Sequence, residues 1–153
     1  MMVSAAGNSS RCARPATLGG RIAPRLLDAG YALRCLVRSP RKLQGRDWAS
    51  GPSVEVHEVD LLDLASLTAA LADCTVAFYL VHSMMSSAPA YASQDLALAR
   101  TFARAARDAG VARIIYLGGL GEMGPGLSEH LASRRHVEAA LASEGVPADH
   151  PAQ

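Results

Sequence analysis

The sequence has little of what would mark several common functions. Aromatic residues make up 5% of it, and its three cysteines, Cys12, Cys35 and Cys74, are odd in number and share no metal-type spacing. That argues against a disulfide framework or a zinc centre and for reduced thiols. The formal charge is +1, with both signs interspersed, so there is no electrostatic footprint for nucleic acid or an anionic membrane. No window reaches the roughly 18 apolar residues of a membrane span, and the opening carries Arg11 and Arg14 without the apolar core of a signal peptide. These absences predict a cytoplasmic protein whose partners are small molecules, with no metal, nucleic acid or membrane among them. They leave the oligomeric state open.

What is present is a chain of 153 residues, half of them hydrophobic, enough for one domain of helices packed on a sheet. Residues 19–29, GGRIAPRLLDA, place Ile22, Leu26 and Leu27 about one helical turn apart, with Gly30 as the stop and Pro24 early in the helix. YALRCLVRS follows as a strand whose apolar run ends at Val37, and Arg38-Ser39-Pro40 turns the chain. A basic stretch with Trp48 and Gly51 leads to a strand over Val54–Val59, and Asp63 is a plausible N-cap for a helix carrying Leu64, Leu67 and Leu71. Thr75–Val81 and Arg113–Gly119 are continuous apolar runs, the signature of strands buried on both faces. Helices are expected over 91–109, with Leu96, Phe102 and Ala103 facing inward, and over 130–145. Strands and helices alternate, which predicts a doubly wound parallel α/β sheet.

In that architecture ligands bind outside the carboxyl ends of the strands. The residues following the apolar runs form a set: Arg38, then Asp60-Leu61, then His82-Ser83, then the Gly118-Gly119-Leu120-Gly121 run. Arg38 has two readings, a paired donor to the 2′-phosphate of an adenosine ribose or a solvated arginine before a turn. Asp60 can accept from an adenine amino group with Leu61 packing beside the ring, or serve as a turn carboxylate. The glycine run lets backbone approach a ligand, or forms a flexible loop. His82 is read first as a rim residue, and His57 and His136 as surface positions.

The segments GGRIAPRLLDAGYALRCLVRSPRKL, VDLLDLASLTAAL, TVAFYLVHSM, FARAARDAGVARIIYLGGLG and LSEHLASRRHVEAALASEGVP, in that order, resemble the atypical short-chain dehydrogenase/reductase group, in its NmrA-like and NAD-dependent-epimerase-like branch. The resemblance implies a Rossmann fold that binds a nicotinamide dinucleotide, NADP by virtue of Arg38 with NAD open. It implies cofactor contacts at Gly19, Gly20, Arg38, Asp60 and Leu61, and a nicotinamide side lined by Val81, His82, Ser83, Gly118, Gly119 and Leu120. The activity implied is oxidoreductase or epimerase-like chemistry on a small carbonyl or sugar-like substrate. Active members of the wider superfamily use a Tyr and a Lys four residues apart, the Lys lowering the phenol's pKa. This chain has no YxxxK; at that spacing it has His130 and Arg134, one helical turn apart on a common face. A non-catalytic dinucleotide-binding or redox-sensing module, or an inactive fragment, are the alternatives.

The resemblance is confined to a domain at 19–147, flanked by an atypical opening at 1–18 and a tail at 148–153. The family's opening resembles a hydrophobic strand followed by TGATGYIGG, whereas Gly19-Gly20 here are preceded by Ala13-Arg14-Pro15-Ala16-Thr17-Leu18. Codons for Pro15 to Leu18 read one base out of phase can contain Gly-Tyr-Leu, and those for Ala148 to Ala152 can give Arg-Thr-Ile-Leu-Arg, like the family's next strand. The expectation is a frameshift at each end, a sheet incomplete at its first strand and after its fifth, and a partly folded product that binds cofactor weakly. Sequencing the gene across both ends should reveal family-like codons in the neighbouring frames; a clean frame without them refutes the frameshift.

Overall fold

A computed structural model of the protein describes residues 2–6, 18–81, 89–116 and 129–149. Its sheet has six strands, β1 (Met2–Ala6), β2 (Ala32–Val37), β3 (Val54–Glu58), β4 (Val76–Tyr79), β5 (Arg113–Tyr116) and β6 (Ala148–Asp149), in the order β3-β2-β1-β4-β5-β6. That is the order of a doubly wound dinucleotide fold, with its switch point between β1 and β4. The helices are α1 (Leu18–Asp28), α2 (Leu64–Leu71), α3 (Pro89–Asp108) and α4 (Glu129–Ala142).

Local chemistry explains most of these boundaries. Gly30, at φ 97°, ends α1: its amide donates to Leu27 O at 3.0 Å and the Tyr31 amide donates to Leu26 O at 2.9 Å, the paired bonds of a Schellman motif. Gly110, at φ 74°, ends α3 in the same way through Arg107 O and Ala106 O. Asp63 caps α2 as expected, its Oδ1 accepting from the amides of Ala65 and Ser66, both at 3.1 Å. One position differs from the sequence reading. Because α1 begins at Leu18, Pro24 stands in its second turn, where the ring leaves the Gly20 carbonyl without its helical donor. The basic stretch forms two short 3-10 turns, Pro40–Leu43 and Asp47–Ser50, that bury Leu43 and Trp48.

Strands β4 and β5 carry buried or half-buried residues on both faces, which is why they read as apolar runs. Leu33, Cys35 and Val37 of β2 face one core with Ala23 of α1 and Trp48. Leu36, Ala77, Tyr79, Ile114 and Tyr116 face the other, against Leu67 and Leu71 of α2, Phe102 and Ala106 of α3, and Val137 and Leu141 of α4. Phe102 and Ala103 are fully buried as expected.

Toward the two ends of the described residues the sheet holds short strands that the sequence reading did not place. The central position does hold a strand: Met2–Ala6 pairs with β2, Met2 opposite Leu36 and Ala6 opposite Ala32, and with β4, Met2 opposite Tyr79. Yet it runs antiparallel to both neighbours, while β2 is parallel to β3, and β4 and β5 are parallel to β5 and β6 in turn. The reason is backbone satisfaction: the inner edges of two buried strands need partners, and five non-proline residues supply them in either direction. The strand was missed because MVSAA is short and lacks a hydrophobic run. At the other end, Ala148–Asp149 already pairs in parallel with Ile114 and Ile115.

Residues 2–6 occupy the centre of the sheet, between β2 and β4. Ser4, opposite Arg34 and Ala77, offers the check: Ser4→Pro deletes a ladder donor in a central strand and should cost about 2 kcal/mol. An unchanged urea midpoint would show that this strand does not complete the sheet.

Candidate functional site

Five of the six strands run in one direction, so their carboxyl ends share one edge of the sheet. Helix α1 ends where β2 begins, which sets its first turn, with buried Gly19 and Gly20, at that same edge. The Val59 amide donates to Val37 O at 3.0 Å, so Arg38 and Asp60, each the next residue, leave adjacent strands at the same level. Val81, half-buried and packed against the core, follows β4 two residues beyond its end.

Arg38 is exposed, and among the described residues no hydrogen bond or ion pair holds its guanidinium. Asp60 is exposed but oriented: its Oδ1 accepts from the Leu62 amide at 3.0 Å and its carbonyl accepts from the Asp63 amide at 3.1 Å, an Asx turn that leaves Oδ2 without a protein donor among the described residues. Leu61 departs from expectation. Its side chain is 6% exposed and belongs to the core with Val59 and Leu67, because the turn that holds Asp60 outward rolls the next residue inward; it does not stand beside the edge as a free wall.

His82, Ser83, Gly118, Gly119 and Leu120 lie outside the described residues. His130 lies in the first turn of α4, and its side chain is outside the description. Arg134 is half-buried further along the same helix, and its charge acts on Tyr116 of β5. The electrostatic influence of Arg134 thus reaches a strand-end tyrosine.

Two groups of side chains were missed by the sequence reading. Tyr79 and Tyr116, opposite each other at the ends of β4 and β5, are 1% and 2% exposed. Their ring centroids are 6.0 Å apart, and Phe102 lies 5.1 Å from Tyr79. Burial, reinforced by the Asp95 carboxylate and by Tyr116, pushes the Tyr79 phenol well above its ordinary pKa. Burial also raises Tyr116, with Arg134 pulling it back and Glu138 and Asp95 adding to the rise. A polar aromatic closing an apolar strand run was the available signal.

The second group centres on Arg34, inside β2. Its Nη1 donates to the carbonyls of Ala70 at 3.1 Å and Ala72 at 2.8 Å, and its Nε donates to Glu55 at 2.6 Å. A cation there satisfies the open carbonyls at the end of α2.

Cys35 is fully buried, and its thiol is pushed up to about 11 by burial, so it stays protonated and is no nucleophile. Among the described residues no group of three His, Cys, Asp or Glu could hold a metal, and no helix is long and apolar enough to cross a membrane.

This edge fits a nicotinamide dinucleotide unevenly. The first turn of α1, where buried glycines keep side chains away from the helix N-terminus, suits a phosphate; Arg38 and Asp60 Oδ2 suit the adenosine side. The strand side of the phosphate cradle differs from a standard one, since β1 ends with Ala6 opposite Ala32, at the amino edge, and not beside Leu18.

Strand order, crossover pattern and edge define a Rossmann-like dinucleotide-binding protein. The chain belongs to the NAD(P)H-binding family, which matches residues 16–145, in agreement with the resemblance to atypical short-chain dehydrogenases/reductases. Among solved structures it is similar to an NADPH-dependent quinone oxidoreductase of Escherichia coli complexed with NADPH, at 26% identity and a TM-score of 0.62 over 76% of this chain. It shares its fold with a nucleoside-diphosphate-sugar epimerase of Staphylococcus aureus (18% identity, TM-score 0.61) and the NADP(H) complex of Citrobacter sp. triphenylmethane reductase (22%, 0.58), each over 76% of this chain. The chain spans 38%, 39% and 38% of those three proteins, respectively. No curated protein matches it.

Proposed function

We propose that the chain is the dinucleotide-binding part of an NADP(H)-dependent oxidoreductase of the atypical short-chain dehydrogenase/reductase type, acting on a small carbonyl compound. The observation that carries this reading is Arg38: an exposed guanidinium without a partner among the described residues, one residue past buried Val37, on the edge that also holds Gly19, Gly20 and Asp60. A guanidinium there offers paired donors to the 2′-phosphate, whereas an acidic residue would favour the bare 2′-hydroxyl. Gly19 and Gly20 would admit the pyrophosphate to the helix N-terminus, Asp60 would accept from the adenine amino group, and Val81, His82, Ser83, Gly118, Gly119 and Leu120 would line the nicotinamide side. The cofactor would supply the hydride. His130 and Arg134 are the candidate proton carrier and its positioning cation. The similarity to an NADPH-dependent quinone oxidoreductase supports the choice of a carbonyl-type acceptor.

A second reading is a dinucleotide holder without chemistry. The reversed direction of β1 and the missing YxxxK favour it.

Binding of NADPH and NADH, followed by the fluorescence of the reduced nicotinamide, tests the cofactor assignment. Arg38→Ala should weaken NADPH by about tenfold or more, the worth of charge-assisted hydrogen bonds to a phosphate, and leave NADH unchanged. Equal effects on both would make Arg38 a solvated residue. His130→Ala should abolish any carbonyl-dependent NADPH oxidation, and unchanged turnover would dismiss that residue.

A further inference from the structure

Strand β3 is an outer strand of the sheet, and among the described residues no strand pairs on its far side. Its bonds to β2 decide which of its backbone groups face outward. The Leu33 amide donates to Ser53 O at 2.8 Å, and the Val59 amide donates to Val37 O at 3.0 Å. Alternate residues of a strand bond to the same neighbour, so Ser53, Glu55, His57 and Val59 turn toward β2, while Val54, Val56 and Glu58 turn away from it. The Val54 amide is taken by Gly51 O at 3.1 Å. The Val54 carbonyl and both backbone groups of Val56 and Glu58 have no partner among the described residues.

Open edges are normally blunted by lysine, proline or a bulge. The strand VEVHE has no lysine or proline, and its register with β2 runs unbroken from Val54 to Glu58. Val56, the partner of Cys35 in that register, is 38% exposed. On the opposite face Glu55 and His57 stand side by side: Glu55 Oε2 accepts from Arg34 Nε at 2.6 Å and lies 3.3 Å from His57 Nε2. The Arg34 hydrogen bond and charge, with a smaller pull from His57, hold the Glu55 carboxyl below its ordinary range. It is therefore charged, and its Oε1 has no donor among the described residues.

We propose that β3 is the docking surface for a second copy of this chain, the two strands pairing antiparallel about a two-fold axis at Val56. That pairing sets Val56 opposite Val56, Glu55 opposite His57 and Val54 opposite Glu58, with every contact repeated by symmetry. Each Val56 amide donates to the Val56 carbonyl of the other copy, and each Glu58 amide donates to the other copy's Val54 carbonyl. Charge selects this register. Centring the pair on Glu55 would set Glu55 opposite Glu55, a like-charge contact that destabilises a ladder, and centring it on His57 would set His57 opposite His57. With Val56 at the centre, each Glu55 carboxylate meets an imidazole from the other copy, and the exposed valines cover each other. The strand is thus its own complement, which favours a second copy over a foreign strand. So short an edge buries little area, and the dimer is weak and reversible.

Sedimentation equilibrium of the full chain, at concentrations up to about 1 mM, measures the association. The wild type should dimerise reversibly. Val56→Pro removes an amide that β2 does not use, so it spares the sheet and should leave monomer. His57→Glu sets like charges opposite each other and should weaken the dimer by about tenfold, whereas His57→Lys should retain it. Cross-linking reads the register. Cys35 and Cys74 are buried, so in a Cys12→Ser background an introduced thiol is the reactive one. Val56→Cys should then form a disulfide-linked dimer on oxidation, since a hydrogen-bonded pair holds its Cα atoms about 5.5 Å apart, and Glu58→Cys should not. A wild type that stays monomeric throughout, or a dimer unmoved by both Val56→Pro and His57→Glu, overturns the proposal. Cross-linking of Glu58→Cys in place of Val56→Cys overturns it as well. If Val56→Pro unfolds the protein, His57→Glu and the cross-link decide the outcome.

Discussion

The structure depends on how the inner edges of β2 and β4 are paired. These strands are buried on both faces and lie at the centre of the molecule, so unpaired amides and carbonyls along them would be costly. Met2–Ala6 supplies partners to both at once, and that joins β3-β2 and β4-β5-β6 into one sheet. Everything that gathers at the carboxyl edge follows from this joining. Arg38 and Asp60 come from one half, Val81, Tyr79 and Tyr116 from the other, and they share an edge only because one strand bridges the gap.

The direction of that strand has a separate consequence. Backbone pairing tolerates either sense, but a phosphate cradle does not, because it needs the first strand to deliver the chain directly to the first helix. Here β1 ends at the opposite edge from α1. Sheet completion and the turn into the first helix, normally served by one element, are separated in this chain, and the proposed phosphate contacts rest on the α1 turn with Gly19 and Gly20 alone. The positions of Arg38 and Asp60 do not depend on that direction, since they are set by β2 and β3, which pair in parallel with each other.

Polar groups within the apolar strands carry the finer organisation. Arg34 ties the middle of β2 to the carbonyls at the end of α2, so a charge in a buried strand becomes a helix cap. Tyr79 closes β4 with an unpaired hydroxyl. One is satisfied within the fold and, among the described residues, the other is not.

The elements that were legible in the sequence are those decided within a few residues. Gly30 and Gly110 terminate helices, Asp63 starts one, and the alternation of helical period with buried apolar runs announces a doubly wound sheet. Placing Arg38 and Asp60 at a common ligand edge also needed only the rule that such sheets bind outside their carboxyl ends. Residues whose role depends on distant partners were not legible. Nothing local in MVSAA says that it fills the sheet centre or in which direction, Leu61 reads as an edge residue until the Asp60 turn rolls it inward, and Pro24 changes turn when α1 starts one residue earlier. Arg34, Tyr79 and Arg134 look like ordinary members of their elements. What the sequence by itself determined was the set of elements and their order, because capping, propensity and hydrophobic period act over a few residues. What only the tertiary structure decided was strand direction, helix capping across the sheet and the stranded phenol. Those depend on which backbone and side-chain groups find partners after collapse.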